Sequence, residues 1–525
     1  MPALYVMSLL FPGGVLSGRN IVLVLGGMAV VAAVFQVGFD VDPVVLFLAL
    51  SSIAIGLYSF WLTGPMNLAG WVLFVYMAGN ILVAYYAKTL MGQPLESNLY
   101  NPQLAFAVEA ICCLSLFVAL ILTIWIPVGK PAVKPILERG TLRFLGFLCY
   151  LIGLAILALQ FFVVRLGTLA YGGLDVFGGL LYFGIICRTA LVMLRSDFRR
   201  TMDPVLFFML LLPTCSGFLS TGKTEIAMPG VCYFLTILYF KGKLPKRHLV
   251  LAGIAIMLFL VISPILLTFR YMGLRNLPLN QEIEYFEAYL PMLLDPAELA
   301  ILRSKYEVAH KSVFYDYYGG GRNQLVLGRF SSVQQIDPVI DAIDARGTLG
   351  PKVIIDSLRK NLPKAIDPDK PQEIVGFTIV TGLGLSSPRQ GGYPTVPMAA
   401  IVYAAYGLPG VLVIPFLTFL LYLLVLKKVG WDLRSNVFAI YILAYWVISI
   451  AWQDLAHFEG LIVRDIPLTC LIVLAIKWVY ELRTQQQRAA SQASGRLIAP
   501  LLPERDPFLR RRVTDTDTSP LDGVS

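Results

Sequence analysis

Length, composition and charge place this chain among membrane proteins. It has 525 residues, of which 57% are hydrophobic and only 14% charged, and its mean hydropathy is +0.72. So few charges cannot cover two or three soluble domains, because soluble proteins carry about 25% charged residues. The composition excludes a soluble enzyme, a disordered chain and a secreted disulfide scaffold.

Apolar runs of about 20 residues recur from one end of the chain to the other. They predict about twelve transmembrane helices, at 20–38, 43–62, 66–87, 103–127, 143–164, 174–194, 204–220, 226–240, 249–269, 408–426, 435–452 and 461–480. The apolar stretch 394–406 is a candidate re-entrant or interfacial segment before the tenth span. The predicted fold is therefore all-α, a polytopic membrane protein.

Basic residues concentrate in alternate short loops. One set of loops carries Lys130, Lys134, Arg139, Arg143, Arg195, Arg199, Arg200, Lys241, Lys243, Lys246, Arg247, Lys427, Lys428 and Arg434. By the positive-inside rule these loops and both termini are cytoplasmic. This distribution accounts for the net charge of +9, and we expect no nucleic-acid partner.

The layout predicts four regions. These are spans one to nine (1–269), a large periplasmic loop (270–393), a re-entrant segment with the last three spans (394–480), and a basic cytoplasmic tail (481–525) that we expect to be disordered or to lie on the anionic inner leaflet. The large loop is neutral, with 14 basic and 14 acidic residues. Apolar residues at three- and four-residue spacing predict helices in it at 281–308, 330–345 and 350–362.

Most familiar catalytic motifs are missing from the sequence. It lacks a nucleotide phosphate loop, a dinucleotide-binding glycine motif, the HExxH zinc motif and the GxSxG nucleophile motif. It has only three histidines, His248, His310 and His457. We therefore expect no metal site and no cofactor.

Basic residues expected on the outer side of the membrane, in the large loop or at the span ends on that side, are the main candidate functional residues. They are Lys223, Arg270, Arg275, Arg322, Arg329, Arg346, Lys370 and Arg389. A guanidinium group donates two parallel hydrogen bonds to phosphate oxygens, which suits a diphosphate held without metal. Lys223 and Arg270 lie beside predicted span ends, at the depth of a lipid headgroup. The alternative is that these cations form ordinary surface ion pairs.

Two further groups of charged residues have both a functional and a structural interpretation. Arg188 and Arg464 lie inside predicted spans, where an ion marks a functional site unless the side chain reaches the membrane surface. Asp454, His457 and Glu459 cluster just before the last span. They form either a solvated loop or a general base with sugar-hydroxyl contacts.

Three segments carry a family resemblance: Gly328-Arg329-Phe330-Ser331, then Asn361 to Pro371 (NLPKAIDPDKP), then Tyr403 to Val411 (YAAYGLPGV). They resemble the Arg-Phe-Ser, Pro-Arg…Pro-Asp-Lys-Pro and Tyr-x-x-x-Gly-x-x-Gly elements of O-antigen and exopolysaccharide repeat-unit polymerases (the Wzy type). Residues 219–224 are similar to a Ser-Gly-Ser-Arg stretch of that family.

The chain departs from the family pattern at two positions. Lys223 stands where the family usually has arginine, and Lys364 stands where Pro-Arg is expected. A lysine keeps the charge but loses the bidentate fork. For Gly407 and Gly410 we expect close helix packing before any special backbone role.

The resemblance implies an integral-membrane glycosyltransferase of the GT-C class. Such an enzyme joins oligosaccharide repeat units carried on undecaprenyl diphosphate, at the outer face of the bacterial inner membrane, alongside a flippase and a chain-length regulator. We expect Arg270, Lys223 and Arg329 to hold the leaving diphosphate. His310, Glu307 or Asp316 accepts the hydroxyl proton. The expected substrate contacts are Arg275, Arg322, Lys370, Arg389, Tyr393 and Tyr403.

Three other functions remain open from the sequence. A lipid-linked glycan ligase would share the layout and differ in its acceptor. A secondary transporter would carry Gly- or Pro-broken helices and polar residues at mid-membrane depth in matching halves. A structural subunit of an export complex would use the neutral loop as a protein interface.

Overall fold

The computed structural model describes residues 18–134, 136–159, 175–219, 223–241, 245–271, 317–318, 331–362, 366–371, 373, 375–385, 396–433, 436–447 and 454–493, with scattered residues between 281 and 301. For some helix residues, Lys223 and Arg270 among them, it describes the backbone alone. The statements below concern these residues.

The described chain is helical, apart from an isolated antiparallel bridge between Asn67 and Asp432. Before the large loop the helices are α1 (Gly18–Gly38), α2 (Pro43–Thr63), α3 (Leu68–Leu90), α4 (Pro102–Trp125), α5 (Arg139–Leu159), α6 (Asp175–Gly178), α7 (Leu180–Arg195), α8 (Pro204–Leu219), α9 (Lys223–Lys241) and α10 (Lys246–Tyr271). Within the loop are α11 (Val333–Arg346), α12 (Lys352–Lys360) and α13 (Val375–Gly382). After it come α14 (Met398–Val429), α15 (Val437–Ile442), α16 (Leu455–Gly460) and α17 (Ile466–Ala493).

Six of these helices are long and apolar enough to cross a bilayer: α1, α2, α3, α4, α5 and α14. Each has at least 21 residues, and at a rise of about 1.5 Å per residue that length matches a hydrocarbon core of about 30 Å. The expected all-α class is therefore confirmed, and the chain is a multi-span helical membrane protein. The expected count of about twelve spans stays a prediction.

Local sequence explains where several helices begin. The side chain of Asp42 accepts a hydrogen bond from Val44 N at 2.8 Å, and Pro43 occupies the first position of α2. Asn67 and Asn436 cap α3 and α15 in the same way. Short polar side chains satisfy amide groups that have no partner in the first helical turn. The capping side chains therefore determine where these three helices begin.

The helices run between two ends of the molecule. At one end, which we call the basic end, lie Lys130, Arg139, Arg195, Lys241, Lys427 and Lys428. There Lys427 Nζ donates to Thr123 O at 2.7 Å, and Lys241 Nζ donates to Phe198 O at 3.2 Å. At the other, which we call the loop end, Asp337 of α11 contacts the start of α4. Basic side chains therefore cap carbonyl groups at helix ends, where the helix dipole favours positive charge.

Close packing of α5 on α7 depends on small residues. A Cβ atom on Gly184 would lie 2.7 Å from Tyr150 Cβ, and one on Gly153 would lie 2.3 Å from Leu181 N. Glycines at such positions let two helix backbones approach each other. Phe183 of α7 then meets Tyr441 of α15 edge to face, with ring centroids 5.6 Å apart.

Two segments add detail to the expected layout. Residues 398–406 form the first part of α14, which is broken at Gly407, where φ is 65° and ψ is −153°. The re-entrant or interfacial placement expected for this part stays a prediction. At the other end of the chain, α17 continues past 480 to Ala493. The expectation of disorder from residue 481 was therefore wrong for 481–493. The chain divides into two compact units after Val473, and the second begins at Leu474.

Candidate functional site

The structure describes few of the predicted site residues in full. Lys223 begins α9 and Arg270 lies one residue before the end of α10, both as backbone only. Outside the described residues lie Arg275, Glu307, His310, Asp316, Arg322, Arg329, Arg389 and Tyr393. Lys370 and Tyr403 are described with their side chains. The roles expected for the other residues stay predictions.

Lys370 holds the end of a helix in place. Its Nζ donates to Lys360 O at 3.1 Å and to Leu362 O at 2.5 Å, carbonyl groups at the C-terminal end of α12. Its ammonium group is therefore engaged with backbone oxygens. This favours a positioning role for Lys370 over the substrate contact that the sequence predicted.

The segment after α12 folds back onto that helix. Arg359 donates from Nε to Asp367 Oδ2 at 2.7 Å and from Nη2 to Asp367 Oδ1 at 2.9 Å, a bidentate pair. The guanidinium group lowers the pKa of the Asp367 carboxyl. Together with Lys370, this pair fastens residues 367–370 to the end of α12.

One face of α12 carries polar side chains into the protein. Val353, Ser357 and Asn361 recur every four residues and are buried, so they share one face. Ser357 Oγ donates to Glu459 Oε2 at 2.6 Å, and Asn361 Nδ2 donates to Ala456 O at 2.7 Å. This face therefore docks on α16 through two direct hydrogen bonds.

Glu459 is the most unusual ionisable group of this junction. Its side chain is buried, with the residue 5% exposed. Removal from water raises the pKa of this carboxyl to about 8, although the hydrogen bond from Ser357 opposes the shift and the nearby Asp454 adds to it. A carboxyl with a pKa near neutrality is suited to general acid or base catalysis.

Other titratable groups surround Glu459. Asp454 caps α16 by accepting from His457 N at 2.9 Å, and burial raises the pKa of its carboxyl. Burial lowers the pKa of His457 to about 4, so its imidazole is neutral at pH 7. Burial also lowers the pKa of Lys360, against the attraction of Asp454. We call Ser357, Lys360, Asn361, Asp454, His457 and Glu459 the carboxyl cluster.

Two details show that the carboxyl cluster is closely packed but not fully hydrogen-bonded. A Cβ atom on Gly460 would lie 2.7 Å from Asn361 Oδ1, so a larger residue here would displace the Asn361 side chain. The buried Nε2 atom of His457 has no hydrogen-bond partner among the described residues. A buried polar atom without a partner is costly, and such atoms are often reserved for a ligand or water.

The residue that follows the Arg-Phe-Ser element, Ser332, lies beside a second buried carboxyl, Glu109 of α4. Ser332 N donates to Asn80 O at 3.3 Å, at a π-helical turn inside α3. Turns with π-helical hydrogen bonding often occur at functional positions. Ser332 therefore joins the large loop to the spanning helices α3 and α4.

Tyr403 lies in the first part of α14 and is 7% exposed. Asp344 of α11 is close enough to act on it electrostatically, and Leu349 N donates to the next carbonyl, Ala404 O, at 2.9 Å. Tyr403 therefore packs beside the loop segment around α11 rather than on α16. The proposed glycan contact of this residue stays a prediction.

The two arginines inside predicted spans each have a carboxylate partner. Arg188 Nη2 donates to Asp203, which also caps the start of α8. Arg464 Nε lies 2.6 Å from Asp465 Oδ1. Both arrangements support the structural interpretation of these arginines.

Comparisons with known proteins add no assignment. No protein-family model matches the chain, and no curated protein or solved structure matches it either. Among the described residues, no group of three or more His, Cys, Asp or Glu side chains is arranged to hold a metal ion. A functional conclusion therefore depends on the geometry of the loop end.

Proposed function

We propose that this protein polymerises oligosaccharide repeat units carried on undecaprenyl diphosphate, as an integral-membrane glycosyltransferase of the GT-C class. It does so at the outer face of a bacterial inner membrane. In this arrangement about twelve spans cross the bilayer, the basic end and both termini face the cytoplasm, and the loop end faces outward. The proposal is supported by the alternation of helices between the two ends and by the basic residues gathered at one of them.

The observation that carries the proposal is the buried carboxyl of Glu459, with its pKa of about 8, where α16 contacts α12 of the large loop. In the proposed reaction an acceptor hydroxyl attacks the anomeric carbon of the donor. A new carbon–oxygen bond forms while the bond to the lipid diphosphate breaks. The hydroxyl proton passes to the Glu459 carboxylate, which its raised pKa makes a stronger base than an ordinary glutamate once it is ionised.

The other groups of the carboxyl cluster have supporting roles in this proposal. Ser357 orients the Glu459 carboxyl through its 2.6 Å hydrogen bond. The neutral imidazole of His457 offers an unpartnered Nε2 atom to a sugar hydroxyl. Glu459 thus takes the role of base that the sequence suggested for His310, Glu307 or Asp316.

Negative charge develops on the leaving diphosphate, and fixed cations stabilise it. The resemblance supplies Arg270, Lys223 and Arg329 for this purpose, whereas Lys360 of the carboxyl cluster donates from Nζ to Glu373 O at 3.0 Å. A flippase would deliver the lipid-linked units, and a chain-length regulator would set the length of the product.

The proposal is tested in a strain that lacks the gene and is complemented with wild type, Glu459→Gln or Glu481→Gln at matched membrane abundance. Glu481 lies on α17 and its side chain is 52% exposed, so its variant is the control. Lipid-linked glycans are then resolved by length. We expect wild type and Glu481→Gln to make long chains and Glu459→Gln to accumulate single units at the outer face.

Transport of the same lipid-linked units is the second candidate. It is favoured by the break of α14 at Gly407, because broken helices line substrate sites in secondary transporters. Units trapped at the inner face of the strain without the gene would support transport. Long polymer that is made but never joined to its final acceptor would instead support the ligase function.

A further inference from the structure

A groove between α1 and α2 has no role in the proposed reaction. It is open along one side and has a volume of about 400 Å³. Its lining residues are Arg19, Val22, Leu23, Gly26, Ala54, Leu57, Tyr58 and Trp61. One cation and two aromatic rings therefore share a groove whose other walls are apolar.

The chemistry of the groove changes with depth. Arg19 lies in the first turn of α1, and its neighbour Gly18 contacts Pro65 at the basic end. Gly26 is seven residues further along the helix, which is about 10 Å deeper at 1.5 Å per residue. The charge therefore lies at the basic end, and the apolar walls extend toward the middle of the helices.

The polar end of the groove has the features of a headgroup site. The structure gives Arg19 no ion pair with any described acid, so its charge is not neutralised by the described part of the chain. Tyr58 and Trp61 stack with ring centroids 5.7 Å apart, and Trp61 is 54% exposed. Tryptophan and tyrosine are enriched at the depth of lipid headgroups.

We propose that this groove binds one anionic phospholipid. Arg19 holds the phosphate, Trp61 and Tyr58 flank the glycerol region, and an acyl chain lies along Leu23, Gly26 and Leu57. An unneutralised cation at one end and an apolar channel at the other complement the two parts of such a lipid. The site shares no residue with the carboxyl cluster.

The first test is native mass spectrometry of the purified full-length chain with phosphatidylglycerol or phosphatidylcholine added. Wild type should retain phosphatidylglycerol preferentially. Arg19→Gln should reduce this preference about fivefold, which corresponds to about 1 kcal/mol for one basic residue at a membrane surface. Arg143→Gln is the control, because Arg143 is exposed on α5 and lies outside the groove.

A second pair of variants tests the acyl-chain channel. A Cβ atom on Gly26 would meet only Leu57 Cδ1, at 3.8 Å, so Gly26→Leu fills the groove without an initial clash. The adjacent Gly27 has no atom within 4 Å of such a Cβ atom and does not line the groove. Gly26→Leu should lose bound phosphatidylglycerol, and Gly27→Leu should keep it.

Three results would overturn the proposal. Equal lipid retention by Gly26→Leu and Gly27→Leu would show that the groove holds no lipid. Competition by undecaprenyl phosphate with the same sensitivity to Gly26→Leu would assign the groove to the polyprenyl carrier. A dimer that disappears only in Gly26→Leu would assign it to a second copy of the chain.

Discussion

The carboxylate of Asp337 accepts a hydrogen bond from the backbone N–H of Asn101 at 2.7 Å, so that a side chain of the large loop caps α4. Its second oxygen accepts from Tyr100 N at 2.9 Å. The side chain of Asn101 itself makes no cap hydrogen bond. Because 236 positions separate the two residues, this cap fastens α11 to the spanning helices.

Removing this cap should loosen the loop. Asp337→Ala leaves two part-buried amide groups without their acceptor, and we expect it to lower the free energy of unfolding by about 1–2 kcal/mol. Chemical unfolding in detergent measures the change. Asp341→Ala is the matched control, because Asp341 is exposed one turn later on α11 and should change stability by less than about 0.5 kcal/mol. Equal losses in both variants would contradict a specific capping role for Asp337.

The pH dependence of activity should follow Glu459. If its carboxylate is the base, the rate of wild type rises with pH toward an apparent pKa near 8. Glu459→Gln cannot accept the proton, so we expect its rate to fall about 100-fold or more and to lose this rise. Initial rates measured between pH 6 and pH 9 test both points. A Glu459→Gln variant with the wild-type profile would exclude Glu459 as the base.

The contact between α12 and α16 should weaken as the pH rises. The pKa of Glu459 is about 8 in the folded chain, well above the ordinary glutamate value of 4.5, so the fold favours its neutral form. Stability from this group is fully present below about pH 4.5 and is lost as the pH rises through 8. Hydrogen-exchange protection factors for α12 at pH 6 and pH 9 measure this loss.

The control for this pH effect is Glu459→Gln, which has no charge to bury. Its α12 protection should stay constant over the same pH range. A loss of protection as large as in wild type would assign the effect to another group of the junction.

The break in α14 should tolerate only glycine. Gly407 has a φ of 65° and a ψ of −153°, a region that other residues enter at a cost of about 1–3 kcal/mol. Gly407→Ala should therefore destabilise the protein by that amount. Gly27 has no positive φ within α1, and Gly27→Ala should stabilise it by about 0.5–1 kcal/mol. Unfolding midpoints of the two variants should shift in opposite directions, and a shift in the same direction would contradict this account.

The helices of this chain could be predicted from its sequence because the signals are local. The predicted spans 43–62 and 103–127 correspond to the helices Pro43–Thr63 and Pro102–Trp125. Each helix is marked by its own apolar run and by an Asp or Asn followed by proline at its start, so all of its signals lie within or beside the helix. The break at Gly407 was not predicted. Nothing within 4 Å of its Cβ position requires a small residue, so its conformation, and not close packing, demands glycine.

The candidate site could be predicted only in part because its contacts are distant in sequence. Asp454, His457 and Glu459 are visible as a cluster of charges. Their partners on α12 are not visible, since Ser357 lies 102 positions from Glu459. For Lys370 the sequence predicted a substrate contact where the structure shows contacts with the backbone. Its charge is evident in the sequence, but the backbone carbonyls that it contacts are evident only in the folded chain.

The most direct test of the proposed function is reconstitution of the purified protein in liposomes with undecaprenyl-diphosphate-linked repeat units. Product length and released undecaprenyl diphosphate are measured together. We expect wild type to make chains of many units and to release one lipid diphosphate for each new bond, while Glu459→Gln does neither. Movement of single units across the bilayer without any new glycosidic bond would contradict the account.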